Sequence, residues 1–438
     1  FQRGGASGYT LLPMSEFIID GGLRLKGEVR ASGNKNATLP LIAAALLTEE
    51  PVTLRNVPRI SDVMTLLHLV EALGARVDWP EPNTVRIDAK DIDVGALDPR
   101  LCREIRASIL LAGPLLARTG DVSLPPPGGD VIGRRRLDTH FLAFKGLGAT
   151  VDYDGLFRLR SAGLVGADIM LDEASVTATE NAIMAAALAK GTTVLHNAAS
   201  EPHVQDLCHC LNRMGGRIEN IGSNTLLIQG VPRLHGCEYT VGADNIEVAS
   251  FIVLGAVCGD GVLIRDAAPR QLRMTQISLE KLGIRFEIAG EDVFVPGGQK
   301  LEVDPDFGGS IPTISDAPWP GYPADAMSVA VVAATQSNGT VLIHEKMFES
   351  RLYFVDKLIA MGARIVLCDP HRCVVQGVTR LRGEVVQSPD IRAGVALAIA
   401  ALCAEGRSVI GNVGQIDRGY ERFEDKLRGL GAQIERRG

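Results

Sequence analysis

Six alanine-rich segments of the chain open on residues that could hold an anion or move a proton. Their first turns carry Lys35 with Asn36, Arg106, Ser175 with Thr179, Asp244, Asp325 and Arg392. A helix N-terminus presents unpaired N–H groups and the positive end of the helix dipole, so it favours negative charge. Lysine or arginine at the same turn adds a full charge, and the planar guanidinium fork suits carboxylate and phosphate. Any one of these side chains alone reads as an ordinary solvated group. Their equivalent placement in successive segments is what points to a shared anion site.

A second candidate is the run Pro125-Pro126-Pro127-Gly128-Gly129-Asp130-Val131-Ile132-Gly133-Arg134-Arg135-Arg136. It is stiff, then flexible, then strongly charged. It reads either as an exposed turn or as a lid that brings charge over an anionic ligand. Other chemistries leave no mark: there is no Walker loop, no GxGxxG after a strand, no GxSxG and no HExxH. Cys208-His209-Cys210 has no second ligand pair to complete a tetrahedron, so it reads as a helix surface. No metal and no organic cofactor are expected.

The elements that must position these residues repeat. Small-residue helices are expected at 36–48, 104–117, 178–190, 245–257, 326–337 and 391–405, each followed by a turn and a short β-rich run such as Thr192-Thr193-Val194-Leu195. A second helix then ends at Gly74, Gly148, Gly215, Gly283, Gly362 and Gly431. Glycine there is the left-handed helix stop, and the stops recur roughly every 70 residues, which marks an internal repeat. The unit is strand–helix–strand–helix–strand–strand, six times over. Helices apolar on all sides must be buried on all sides, so helices are expected inside and sheets outside. Six units in two domains gives three per domain. If the inner helices of a domain run parallel, their N-termini converge at one end.

The bulk composition agrees. A chain of 438 residues is too long for one ordinary core. Hydrophobic content of 46% and charged content of 22% are those of a globular protein. A net charge of −7 argues against nonspecific nucleic-acid binding. No apolar run is long enough to span a membrane. The eight scattered cysteines, without a CxxC pair, read as reduced thiols of a cytoplasmic protein. Residues 1–13 are expected to be a cloning remnant, not a signal peptide, since Met14 opens the first patterned segment.

At this point the residues resemble a family. Ser32-Gly33-Asn34-Lys35-Asn36-Ala37, Arg106-Ala107-Ser108-Ile109-Leu110, Phe348-Glu349-Ser350-Arg351, Ile416-Asp417-Arg418-Gly419-Tyr420-Glu421-Arg422 and the loop of Gly128-Gly129 and Ile132-Gly133 resemble signatures of the UDP-N-acetylglucosamine enolpyruvyl transferases. The likeness runs from about Met14 to Arg437. The sister family of shikimate-pathway enolpyruvyl transferases is resembled less. The resemblance implies two inside-out (inverse) α/β-barrel domains of three βαβαββ repeats each, with the active site in the cleft between them. Residues 14–34 and 243–438 would form a discontinuous catalytic domain. Residues 35–242 would form the second, carrying the active-site loop 124–138.

Roles follow by position. Lys35, Arg106, Arg135, Arg392 and Arg418 would clamp phosphoenolpyruvate. Asn36, Asp325 and Glu349 would face the acceptor sugar and Arg351 the cleft. Arg136, Asp138, Ser175, Val176 and Thr177 would complete the substrate-binding set, with Arg136 and Thr177 on the nucleotide side. Asp325 would take the proton of the attacking hydroxyl, and Asp130 would protonate the methylene carbon. The partners implied are small molecules only, phosphoenolpyruvate and a UDP-sugar or related nucleotide, on a monomer or weak homo-oligomer.

The chain departs from that family's pattern at several points. Asp130 stands where the loop usually carries cysteine. A carboxylic acid can still donate a proton if its surroundings raise its pKa, but it cannot form the thioether by which fosfomycin inactivates the family. Insensitivity to fosfomycin is therefore expected. On the nucleotide side Arg136 replaces a proline, Thr139 a leucine, Glu173 a lysine, Thr177 a glycine, Asn245 an arginine and Met64 an aspartate. Three functions compete: the cell-wall reaction on UDP-N-acetylglucosamine, the same chemistry on another nucleotide such as UMP, and an inactive binding homologue. Retention of Lys35, Arg106, Asp325, Arg392 and Arg418 argues against the last.

Overall fold

Inner helices decide the architecture, because their composition leaves them no solvent face. All of Ile391–Cys403 but its last residue is buried, as is all of Met327–Gln336 but Gln336 and all of Asn245–Cys258 but Val257. These three helices pack against one another. In the computed structural model, which describes residues 15–129, 133 and 135–438, two hydrophobic cores result. One draws its buried residues from Phe17 to Ala31 and from Ile246 to Ile434. The other runs from Ala37 to Val241 around Lys35–Ala44, Ala112–Thr119 and Val176–Ala187. We call these lobes.

Among the described residues the strands lie outside as six separate sheets, five of four strands and one of three. The second strand of several repeats follows the alternation that a half-covered strand requires. In Gly339–His344, for example, Val341 and Ile343 are buried and Leu342 and His344 are half exposed. The third repeat shows the unit entire: Asp168–Met170, helix Val176–Ala187, Thr192–His196, helix Pro202–Arg213, Arg217–Glu219 and Thr225–Gln229. The opening strand pairs parallel with the second, and the last three pair antiparallel. All six glycine stops have positive φ, from 78° at Gly283 to 101° at Gly74 and Gly362. Only glycine enters that region without a Cβ penalty.

The structure departs from six uniform copies in two ways. In the second repeat, among the described residues, the sheet has only Asp121–Leu124, Phe157–Arg160 and Thr150–Tyr153. Its opening strand is replaced by the short helix Pro99–Glu104 and a 3₁₀ turn over Arg106–Leu111. The first and fourth repeats also exchange opening strands. Leu25–Arg30 precedes the first inner helix but pairs with Gly259–Arg265, and Glu238–Thr240 precedes the fourth but pairs with Val52–Arg55. The chain changes lobe immediately after each strand. The two crossings lie side by side, joined by Asn34 N to Gly242 O at 2.8 Å and Asp244 N to Ser32 O at 2.9 Å.

Candidate active site

The helix starts do converge. A cleft of about 280 Å³ between the lobes is walled by the first turns of all six inner segments. Lys35, Asn36, Ala107, Val176 and Thr177 come from one lobe, and Asn245, Asp325, Ile391 and Arg392 from the other. Local capping fixes three of these ends. Asn34 Oδ1 accepts from Ala37 N at 3.0 Å, Asp244 Oδ1 from Ile246 N at 2.9 Å, and Asp390 Oδ1 from Arg392 N at 2.8 Å. A capping side chain takes one or two orphan donors and leaves the rest of the turn pointing outward.

Cations in the cleft are held by two carboxylates. Asp325 accepts from Arg351 Nη2 at 2.7 Å and from Arg392 Nη2 at 2.9 Å. The two arginines are nearly sealed, at 4% and 5% side-chain exposure, whereas Asp325 is 29% exposed toward the cleft. Burial alone would raise the Asp325 pKa, but Arg392 and Arg351 outweigh it and hold the carboxyl well below the usual carboxylate range. Asp62 accepts from Lys35 Nζ at 2.7 Å and from Arg418 Nε at 3.0 Å. Asp62 and Lys35 belong to one lobe and Arg418 to the other, so this bridge ties the lobes at the site.

Four cations on two carboxylates leave an excess of positive charge, and some donors are unused. Arg392 Nη1 and Arg351 Nε are shut from solvent without a hydrogen-bond partner. A buried guanidinium N–H left unmade is costly, and an anionic ligand that accepts from it recovers that cost. The arrangement suits a small, multiply charged anion beside a carboxylate that can take a proton.

Of the residues singled out in the sequence, Lys35, Asn36, Arg135, Val176, Thr177, Asp325, Arg351, Arg392 and Arg418 line the cleft. Arg106, Arg136, Asp138, Ser175 and Glu349 do not. Arg106 lies behind the loop, where Nη2 donates to the carbonyls of Arg135 at 2.8 Å and Arg136 at 3.1 Å. Burial, then the charge of Arg135, lowers its pKa to about 10. Arg136 is exposed and turned to Asp172 at 2.8 Å and Asp138 at 3.2 Å. Ser175 precedes Val176–Ala187 without capping it through its side chain. Glu349 is exposed, and the loop meets it closely: a Cβ on Gly133 would sit 2.1 Å from Glu349 Oε2. At the other side a Cβ on Gly129 would sit 2.8 Å from Arg106 Cβ. The glycines let the loop backbone press against both lobes. Asp130, the expected proton donor, lies outside the described residues, as do Arg134 and residues 1–14.

Sequence reasoning missed Asp62, whose partners are Lys35 and Arg418 from remote parts of the chain. It also missed His140, which is fully buried behind Thr177. Asn181 Oδ1 accepts from Gly113 N at 2.7 Å, so its Nδ2 donates to His140 Nδ1 at 2.9 Å. That fixes the proton on Nε2, which donates to Thr177 Oγ1 at 3.2 Å. Desolvation, then the charge of Arg106, lowers the His140 pKa to about 3. The Thr177 hydroxyl therefore accepts from a neutral histidine and keeps its own proton for an acceptor in the cleft. No local pattern could have announced this chain of three residues from three segments.

Comparison with known proteins agrees with the geometry. Residues 19–427 match the model of EPSP synthase (3-phosphoshikimate 1-carboxyvinyltransferase). The UDP-N-acetylglucosamine 1-carboxyvinyltransferase of Bradyrhizobium diazoefficiens is 56% identical over 421 residues, which is 96% of this chain and 98% of that one. The protein of the same name from Treponema denticola is 56% identical over 422 residues, 96% of this chain and 99% of its own. Among solved structures, the enolpyruvyl transferase NikO of Streptomyces tendae superposes with a TM-score of 0.86 at 26% identity, covering 97% of this chain and 99% of NikO. An EPSP synthase from Acinetobacter baumannii shares the fold, with a TM-score of 0.73 at 18% identity over 97% of this chain and all of its own. With matches that run nearly end to end and a cation-lined cleft where its two lobes meet, the chain belongs to the EPSP synthase family.

Proposed function

We propose that this protein transfers the enolpyruvyl group of phosphoenolpyruvate to the 3-hydroxyl of UDP-N-acetylglucosamine and releases phosphate. The observation that carries the reading is Asp325 held between Arg351 and Arg392, each with an unused buried donor. Phosphoenolpyruvate brings a carboxylate and a phosphate, and the fork of Arg392 with Lys35 and Arg418 takes both. An acid, to which we assign Asp130, delivers a proton to C3, and positive charge develops at C2. The 3-hydroxyl adds at C2 while Asp325 takes its proton. Loss of the C3 proton and of phosphate then restores the methylene in the product. Asp325 is a weak base while its arginines are undivided. A ligand that draws charge from Arg392 raises its basicity at the moment it is needed.

Relatives named for UDP-N-acetylglucosamine, identical to this chain at more than half of positions, support that acceptor. The altered nucleotide side, with Arg136 on Asp172 and Thr177 on His140, supports a second reading in which another uridine nucleotide is the acceptor. Phosphate release from phosphoenolpyruvate, measured with UDP-N-acetylglucosamine and with UMP in parallel, decides between them. Release with the first alone is expected. Release with UMP alone would overturn the assignment. Activity should persist in fosfomycin without a covalent mass shift, and the variant Asp130→Cys should acquire both inactivation and the shift.

A further inference from the structure

One part of the cleft wall is built unlike the rest. Glu180, in the second turn of Val176–Ala187, is 1% exposed, and its Oε1 has no hydrogen-bond partner. Glu201, at the start of Pro202–Arg213, has Oε2 sealed and unpartnered, while its Oε1 accepts from the Trp319 amide of the other lobe at 3.4 Å. Both line the cleft. Among the described residues neither forms an ion pair with any lysine or arginine, although cations crowd the Asp325 side of the same cleft. A carboxyl pair with no cation beside it gives a phosphate or carboxylate nothing to bind, so this wall serves an uncharged part of a ligand.

Burial, reinforced by Glu201, pushes the Glu180 carboxyl well above its ordinary range. Its protonated form is thereby favoured, and that form offers an O–H donor beside the Glu201 acceptor. A buried donor and a buried acceptor, on different helices, match a trans secondary amide, whose N–H and C=O point to opposite sides. A hydroxyl would satisfy only one of them. Position agrees as well. Glu180, Glu201 and Asp325 line the same cleft. On a 2-acetamido sugar the amide nitrogen sits on the carbon next to the 3-hydroxyl, so a group that holds the amide must lie close to the base.

Resting on the function proposed above, we infer that Glu180 and Glu201 bind the acetamido group of the acceptor sugar, Glu180 donating to its carbonyl and Glu201 accepting from its N–H. The pair then sets a preference for amide-bearing sugars over their hydroxyl counterparts. A site built to pair a polar group rejects the analogue that leaves it unpaired.

The test is phosphate release with UDP-N-acetylglucosamine and with UDP-glucose, in the wild-type protein and in Glu180→Leu and Glu180→Gln. The wild type should favour the acetamido sugar in kcat/KM by tenfold or more. Glu180→Leu should raise the acceptor KM about tenfold and erase the preference, the size of one buried hydrogen bond left unmade. Its KM for phosphoenolpyruvate should stay unchanged, which also certifies the fold. Glu180→Gln keeps a donor and should retain most of the preference. An undiminished preference in an active Glu180→Leu overturns the inference alone. A wild type that releases no phosphate with UDP-N-acetylglucosamine, yet binds phosphoenolpyruvate, overturns the function and the inference together.

Discussion

The two sides of the cleft are built to different standards. Around Asp325 and Asp62 every named ion pair is largely buried, and each carboxylate holds two cations. The Asp62 bridge also spans both lobes. Around Arg136 the ion pairs are half exposed, stay within one lobe and lie near the surface. Buried, shared pairs cannot lose a member without stranding another charge. Exposed pairs contribute little and can be exchanged. That difference explains why the surface around Arg136 can exchange residues more freely than the cation cluster can.

The sharpest way to break the comparison is Asp325→Ala. It removes the assigned base and strands two sealed arginines. We expect kcat to fall roughly a thousandfold and unfolding in denaturant to lose about 3 kcal/mol. A variant that kept activity would remove Asp325 from the chemistry. Next comes Asp62→Asn, which keeps the shape but halves the hold on Lys35 and Arg418. An increase of about tenfold or more in the KM for phosphoenolpyruvate is expected, with a smaller change in the acceptor KM. Equal changes in both would mean that the bridge positions the lobes and not the cations.

The wall around Thr177 can be probed through pH. His140 has an ordinary pKa near 6.5 in the unfolded chain and about 3 when folded. Between those values the unfolded state binds more protons, so stability falls as pH drops from about 6.5 toward 3. Thermal unfolding from pH 7 to pH 4 should show this loss, on the order of 3 kcal/mol from this group by pH 4. His140→Gln, which keeps an amide donor for Thr177, should flatten the curve. An unchanged slope would show that the ring is not held neutral. The smallest effect is expected from Arg136→Ala. Its exposed pairs should cost under about 1 kcal/mol of stability, and only the acceptor KM should rise.

Much of this was legible before any coordinates. Glycines at a fixed period announced the helix stops, and all six adopt positive φ. Alanine-rich helices with no polar face required sheets outside them. Cations at equivalent turns announced a common end, and Lys35 and Arg392 meet there, whereas Arg106 does not line the cleft and Arg418, which does, was named only through the family resemblance. What escaped was the choice of distant partners. Nothing near Asp62 reveals that Arg418 will reach it, since a carboxylate at a helix start is usually a solvated end charge. The exchange of opening strands was hidden because Leu25–Arg30 and Glu238–Thr240 satisfy the same local pattern in either sheet. Glu180 stood in an apolar helix as one charged residue, without a hint that Glu201 would join it.

The strand exchange has a consequence for the order in which the molecule can be completed during synthesis. Glu16–Asp20 precedes every other described strand, yet its partners are Arg407–Gly411 and Gln433–Arg437. Leu25–Arg30 likewise waits for Gly259–Arg265. The lobe between the crossings needs nothing beyond Glu238–Thr240 to close its own sheets. It can fold as a finished unit on the ribosome while the earliest strands remain unpaired edges, exposed until the last repeat emerges. The earliest of the described strands is thus among the last to be secured.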